Sequence, residues 1–328
     1  MNNTCNIQVS ILCATYNHSK YIRDAINSFL SQKTNFKYEI VINDDCSTDD
    51  TRLIIEEYYN RYPDIIVPIY QNENQYSKGV GIIKDILIPK ARGKYIAICE
   101  GDDYWIDENK LQTQFDYLEA HNNCNLCVHN AVLVNEKKQR IGHVNTSKED
   151  EQISTYDVIV NGGDYIATSS LFARKPKKIP TYFDVISLDY TWQIFLASLG
   201  EYTYCFKKPM SVYRIGSDGS WSSLQRTDFN AYKKREIDLF YTKQKLRREF
   251  NISNNLRFTD AIEIADIHDR LQCIVCVKDY DELKKDPIKS YIKTLTTKLK
   301  LKYFILAHAP FIYDEYKKMK SSIRRLLT

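Results

Sequence analysis

Lys94-Tyr95-Ile96-Ala97-Ile98-Cys99-Glu100-Gly101-Asp102-Asp103-Tyr104-Trp105 is the stretch on which the fold turns. Its first half is a short apolar run, as a strand buried on both faces requires, and it stops in three acids within four residues. The chain before it repeats that plan. Val9–Thr15 is an apolar run ending in Tyr16-Asn17-His18, Tyr38–Asn43 ends in Asp44-Asp45, and Ile65–Tyr70 is a third run. Helical stretches lie between them. Ser19 is the predicted cap of a helix with Tyr21, Ile22, Ala25, Ile26, Phe29 and Leu30 on one face. Ser47–Asp50 offer hydroxyls and first-turn acids to a helix reaching about Asn60, and Val80–Ala91 reads as a third. Strands alternating with helices predict an α/β fold with a mainly parallel sheet, covered on both sides. Ligands of such sheets bind beyond the carboxyl ends of the strands. Here those ends are acidic, and acids gathered at a ligand site point to a divalent cation bridging a phosphorylated ligand.

Composition narrows the class. The chain has 328 residues, 43% hydrophobic and 27% charged, which is ordinary for a globular protein and argues against extended disorder. No glycine-rich dinucleotide fingerprint and no P-loop follows the first strand, which excludes nicotinamide enzymes and ATPases of those types. Nine cysteines without a disulfide-like framework, and a start without a secretory pattern, predict a cytoplasmic protein with reduced thiols. Two Cys-x-x-Cys pairs, Cys124/Cys127 and Cys273/Cys276, lie too far apart for a zinc ribbon and fall among apolar neighbours, so core packing is the better reading.

Beyond Trp105 the expected elements are a helix over Asp107–His121, strands at Asn125–Val134 and Thr168–Ala173, a helix at Asp189–Leu199 and strand-like material at Tyr202–Tyr213. His129, at the end of the Cys127–Asn130 run, is a candidate contact for a sugar or acceptor. A polar loop, Arg214–Trp221, follows. From about Thr227 the chain reads as helical and charged, which sets a boundary near Leu224–Asp228 between a first unit (1–225) and a C-terminal helical extension (226–328).

In these motifs the sequence resembles the family 2 glycosyltransferases of GT-A fold. The matching pieces are Val9–Asn17, Asp44-Asp45-Cys46-Ser47-Thr48-Asp49, and Gly93–Ala97 leading into Glu100–Trp105, with Asp189 and Tyr213-Arg214 downstream. The resemblance covers about residues 7–224 and implies an inverting transferase that uses a nucleotide sugar, usually a UDP-sugar, in surface polysaccharide or lipopolysaccharide assembly. It implies that Thr15, Tyr16, Asn17, Asp44, Asp45, Lys84, Asp102 and Arg214 hold the nucleotide sugar. A carboxylate is a fitting partner for the single uracil N–H. Glu100, Asp102 and Asp103 would hold Mn2+ or Mg2+, and Asp189 would be the general base toward a glycan or lipid-linked acceptor. Two alternatives remain on the residues themselves: a sugar-nucleotide nucleotidyltransferase, for which Ala14–Asn17 lacks the glycine-rich basic loop, and a non-catalytic nucleotide-sugar-binding relative.

The chain also departs from the family pattern. The first motif acid is Glu100 where Asp is commoner, and the glycine that usually follows the paired acids is Cys46. Lys84-Asp85 stands where many members carry Arg-Asn, Leu188 where a Glu is common, and Gly216 where histidine often stands. Arg214 is the candidate replacement for that histidine as a phosphate partner.

The net charge of +4 is uneven. From Lys289 onward ten Lys/Arg face only Asp314 and Glu315, so this segment carries +8 and residues 1–288 carry −4. An acidic body suits a metal–diphosphate site. The basic segment has no nucleic-acid-reading motif, and with Tyr303–Ile305 and Phe311–Tyr313 beside it, it is expected to form either a solvated face or a peripheral contact with an anionic membrane surface.

Overall fold

The structure, a computed structural model, describes residues 7–144, 147–163, 165–184, 189–216 and 229–312. Leu188, the loop from Ser217 to Trp221, the expected boundary at Leu224–Asp228 and the basic residues from Lys317 onward lie outside the described residues.

The first half forms β1 (Ile7–Thr15), α1 (Ile22–Leu30), β2 (Lys37–Asp44), α2 (Thr51–Arg61), β3 (Ile66–Tyr70), β4 (Tyr95–Ile98) and β5 (Tyr104–Trp105). Next come α3 (Lys110–Ala120), β6 (Cys124–Val134), β7 (Arg140–Val144), β8 (Glu151–Ile153), α4 (Thr155–Asn161), β9 (Phe172–Arg174), α5 (Asp189–Ser198) and β10 (Tyr202–Arg214). Four helices follow: α6 (Phe229–Ser253), α7 (Thr259–Val277), α8 (Ile288–Ile292) and α9 (Thr297–His308). The sheet runs β3-β2-β1-β4-β9-β6-β10-β5, with β7 added to β6 and β8 to β10. Strands β3, β2, β1 and β4 are parallel throughout, as their continuous apolar runs predict. Strand β9 enters antiparallel between β4 and β6, so the sheet is mixed.

Helix starts depart from the predicted caps for one reason. Ser19 does not cap α1; its backbone N–H donates to Asp49 Oδ2. Ser47 does not cap α2; its hydroxyl donates to Asp44 Oδ1. These groups join the β1–α1 loop to the β2–α2 loop instead. The helix expected at Val80–Ala91 is a π-helical segment, Ile82–Leu87, running into one helical turn at Ile88–Lys90. The strand expected at Thr168–Ala173 opens as a 3-10 turn, Thr168–Ser170.

Apolar side chains pack on both faces of the sheet. Val9, Ile11, Cys13, Ile40 and Ile42 meet α1 and α2 on one side, while Leu12, Val41, Ile96 and Ile98 face the other. The second cluster crosses the expected boundary at 225, because Leu246 and Phe250 of α6 and Ala261, Ile262 and Ala265 of α7 belong to it. The fully buried Arg247 fastens α6 there, reaching Asp266, Asp269 and the Tyr190 hydroxyl. A separate, smaller core of Leu271, Ile274, Leu283, Ile288 and Leu306 joins the end of α7 to α8 and α9. Among the described residues no helix is long and apolar enough to cross a membrane.

Candidate active site at the carboxyl ends of the strands

The parallel register places Thr15 beside Asp44, and the β4 chain beyond Ile98 beside the end of β1. The N–H of Cys99 donates to Leu12 O and that of Gly101 to Ala14 O, which brings the Glu100–Asp103 turn against the β1–α1 loop. Gly101 is required there: a Cβ would lie 2.7 Å from Thr15 Oγ1 and 2.9 Å from His18 Nδ1.

Four carboxylates from two segments, three in the turn after β4 and Asp189 at the start of α5, lie close enough in this recess for their charges to act on one another. Burial pushes Glu100 well above the usual carboxylate range, and the charges of Asp189, Asp102 and Asp103 push it further. Asp103 is fully buried and also raised, by desolvation and then by Asp102, against the opposing Arg214. Its Oδ1 accepts the Arg214 N–H at 2.9 Å, while Oδ2 has no hydrogen-bond partner among the described residues. Asp189, the first residue of α5, remains reachable by solvent. The walls of the recess nevertheless raise its pKa, and Asp102 adds to this against a hydrogen bond from Thr168. Burial and then the same four carboxylates raise the Tyr213 phenol.

Hard carboxylate oxygens, one of them buried and without a hydrogen-bond partner among the described residues, and with a mutual repulsion that Arg214 only partly offsets, are a donor set that fits Mg2+ or Mn2+. Among the described residues no three acid, His or Cys side chains already converge as an ion's ligands. The recess supplies the right donors without a finished cage.

The nucleotide-side candidates divide by what their side chains do. Tyr16 is 43% exposed beyond β1. Thr15 is buried, its Oγ1 without a hydrogen-bond partner among the described residues. Asn17 adopts a left-handed conformation (φ 56°), and its amide oxygen accepts the Thr48 N–H at 2.8 Å, so it braces the two loops. Asp45 accepts the N–H groups of Gln75 and Tyr76 at 2.8 and 3.0 Å, fixing the loop after β3. Asp44 is buried, its Oδ2 without a hydrogen-bond partner among the described residues, and desolvation raises its pKa against the Ser47 bond. Burial pushes Asp49 up, but hydrogen bonds from Thr51 and Ser19 outweigh it and bring the carboxyl to about 2. Lys84 sits 3.0 Å from Asp85.

Arg214 makes its contacts within the protein. Its guanidinium is buried, donates to the Asp102 carbonyl at 2.9 Å and to Asp24 at 3.1 Å, and lies over the Tyr21 ring. Asp24 also binds Lys138 at 2.9 Å. His129 is fully buried, its Nδ1 on Asn130 O; burial and then the Lys110 charge lower its pKa. Cys124 and Cys127 are core thiols, both raised chiefly by burial.

Sequence reasoning missed His18, Asp24, Thr168 and the phenol of Tyr213. His18 Nε2 lies 4.0 Å from Asp102 Oδ2. Its place directly after Tyr16-Asn17 was the available signal. Asp24 and Thr168 reach the site only through tertiary packing.

A mixed sheet of this order with acids at the carboxyl ends of β2 and β4 is the GT-A arrangement. The model of the family described as "Glycosyl transferase family 2" matches residues 10–176, half of the chain, and the protein belongs to that family. An uncharacterised protein of Mycobacterium tuberculosis (strain ATCC 25618 / H37Rv) is 34% identical over 222 residues, 66% of this chain and 61% of the relative, so the chain spans less than two thirds of that relative's length. A putative teichuronic acid biosynthesis glycosyltransferase, TuaG of Bacillus subtilis (strain 168), is 34% identical over 110 residues, 34% of this chain and 41% of the relative. Among solved structures, residues 1–349 of Staphylococcus aureus TarS in complex with UDP-GlcNAc align with a TM-score of 0.55 at 17% identity, covering 97% of this chain and 92% of that one.

Proposed function

We propose that the protein is an inverting glycosyltransferase that moves a sugar from a nucleotide-sugar donor, with UDP as the nucleotide, to a glycan or lipid-linked acceptor in surface-polysaccharide assembly. The observation that carries this is the meeting of Asp189 with Glu100 and Asp102 in one recess beyond the strand ends, with the proton affinity of Asp189 raised. A carboxylate of raised pKa is a better general base near neutrality than an ordinary one. Asp189 takes the proton of the acceptor hydroxyl as that oxygen attacks the anomeric carbon, while the bond to the diphosphate breaks on the opposite face. One in-line displacement inverts the centre.

Tyr16 and the Asp44-Asp45 turn hold the base, Thr15 lies beneath the phosphates, and Lys84 is the nearby cation. Glu100, Asp102 and Asp103 would hold Mn2+ or Mg2+, which when bound offsets the charge developing on the departing nucleoside diphosphate. Arg214 keeps the Asp102-Asp103 turn in place. The relatives support this reading: TuaG is named for teichuronic acid biosynthesis, and TarS binds UDP-GlcNAc. Peripheral attachment to the cytoplasmic face of a membrane through residues 289–328 is part of the same reading.

A thermal-shift panel of nucleotides and nucleotide sugars, with and without Mn2+, tests the donor side, because a ligand that binds only the folded state raises the midpoint. UDP-sugars with Mn2+ are expected to give the largest shift. A larger shift with GDP-sugars would reassign the nucleotide, and no shift with any of them would overturn the donor reading.

A further inference from the structure

Helix α9 is apolar on both sides. Leu306 is fully buried in the small C-terminal core, yet the outward side also carries large apolar residues: Leu301 is 59% exposed, Phe304 61%, and just beyond the helix Phe311 68% and Ile312 51%. An apolar helix with one side open to water needs a cover. Charge indicates which. From Pro287 to Ile312 the chain contains Lys289, Lys293, Lys298, Lys300 and Lys302 and no acid. Lys298 and Lys300 are exposed in the first turn of α9. Large apolar side chains beside lysines, with no acid in that stretch of chain, complement a surface that is anionic at its headgroups and apolar beneath.

A second feature lies next to that face. A cavity of about 360 Å³ between α7, α8 and α9 has a mixed wall, in which Leu271, Leu295 and Leu299 stand beside His268, Gln272 and Lys302.

We infer that the outward face of α9 is a membrane-docking surface, with Leu301, Phe304, Phe311 and Ile312 entering the headgroup boundary of an anionic bilayer and Lys298 and Lys300 meeting its phosphates. This rests on the proposed peripheral attachment and names the residues that make it. The core formed by α7, α8 and α9 supports the helix from behind, so docking needs no refolding of the catalytic unit.

The test is co-sedimentation of the full chain with phosphatidylcholine vesicles, with and without phosphatidylglycerol, at low and high salt. The unmodified protein is expected to bind only the anionic vesicles and to be released by salt. The pair Leu301→Asp with Phe304→Asp should weaken binding at least tenfold. Lys298→Gln with Lys300→Gln, which leaves the apolar residues alone, should weaken it by roughly thirtyfold at low salt, from ~1 kcal/mol per lysine. Mn2+-dependent UDP binding in vesicle-free solution should be unchanged in both, which separates docking from folding and from the donor site. Equal vesicle binding by all three proteins would overturn the assignment to α9 while leaving peripheral attachment standing. No binding by the unmodified protein would overturn both. If the unmodified protein dimerises and the apolar pair abolishes dimerisation without affecting vesicle binding, a second copy covers the face and the inference fails.

Discussion

The backbone N–H of Arg214 donates to Asp103 Oδ1 across 2.9 Å, although 111 residues separate them. The Arg214 side chain donates to the Asp102 carbonyl and ends on Asp24. The end of β10, the acidic turn after β4 and helix α1 are thereby tied at one point.

Asp24→Asn keeps the shape of the side chain but removes the charge opposite a buried guanidinium. Breaking a buried pair from one side costs about 3–5 kcal/mol, and Asp24's partial exposure and second partner Lys138 bring the expected loss to about 1–3 kcal/mol. Urea unfolding should show the lower midpoint. Transfer should fall as well, and an Arg214→Lys variant, which cannot reproduce the bond from Nε to the Asp102 carbonyl, should fall with it at nearly unchanged donor affinity. Full activity in both variants would show that the acidic turn does not depend on this support.

If Asp189 is the base, Asp189→Asn should bind UDP-sugar as the unmodified enzyme does and transfer about 10²–10⁴-fold more slowly. Isothermal titration paired with single-turnover transfer separates the two effects. Comparable transfer would move the proton to another group in the recess.

The parts of this site that were legible in the sequence are those made by neighbours along the chain. Thr15-Tyr16-Asn17, Asp44-Asp45 and Glu100–Asp103 follow apolar runs, and a parallel sheet necessarily gathers the ends of its strands on one edge. Asp45 and Asn17 were legible as positions, but their hydrogen bonds to the Gln75–Tyr76 and Thr48 backbones were not. Those depend on where a second loop lies. Asp24 carries no signal in the sequence, since nothing local announces an arginine arriving from residue 214. The reach of α6 and α7 into the main core was hidden for a related reason. Their charged residues suggested a separate extension, whereas Leu246, Phe250 and Ala261 carry the packing.

Cys46 has φ 64°, in the left-handed region that favours glycine. This gives a backbone reason for the glycine common at this position in the family. A side chain held there costs about 1–2 kcal/mol, and glycine returns part of that through the greater freedom of the unfolded chain. Cys46→Gly is therefore expected to stabilise the protein by about 0.5–1 kcal/mol, and Cys46→Val, branched at Cβ, to destabilise it by more than 1 kcal/mol. Urea midpoints at unchanged slope would report both.

Lys110 is fully buried, its Nζ 2.7 Å from Gln114 Oε1 and over the Trp105 ring. Burial brings its pKa down to about 7, with the nearby thiols and Asp107 only partly opposing this. Unfolded, a lysine holds its proton to about pH 10.4. Between those two values the unfolded chain binds more protons than the folded one, so stability rises with pH across the window. Below about 7 both states are protonated, and the full cost of burying the charge is present. Above about 10.4 both are neutral, and that cost is gone. Lys110→Met removes the titration, leaving Gln114 Oε1 as the loss that does not vary with pH. The difference in unfolding free energy, unmodified minus variant, should therefore climb by up to ~1.4 kcal/mol per pH unit between pH 7.5 and 9.5. Taking the difference cancels the tyrosines and cysteines that titrate in the same range. A flat difference would mean that the Lys110 amine keeps its proton in the folded protein, held by Gln114 and the face of Trp105.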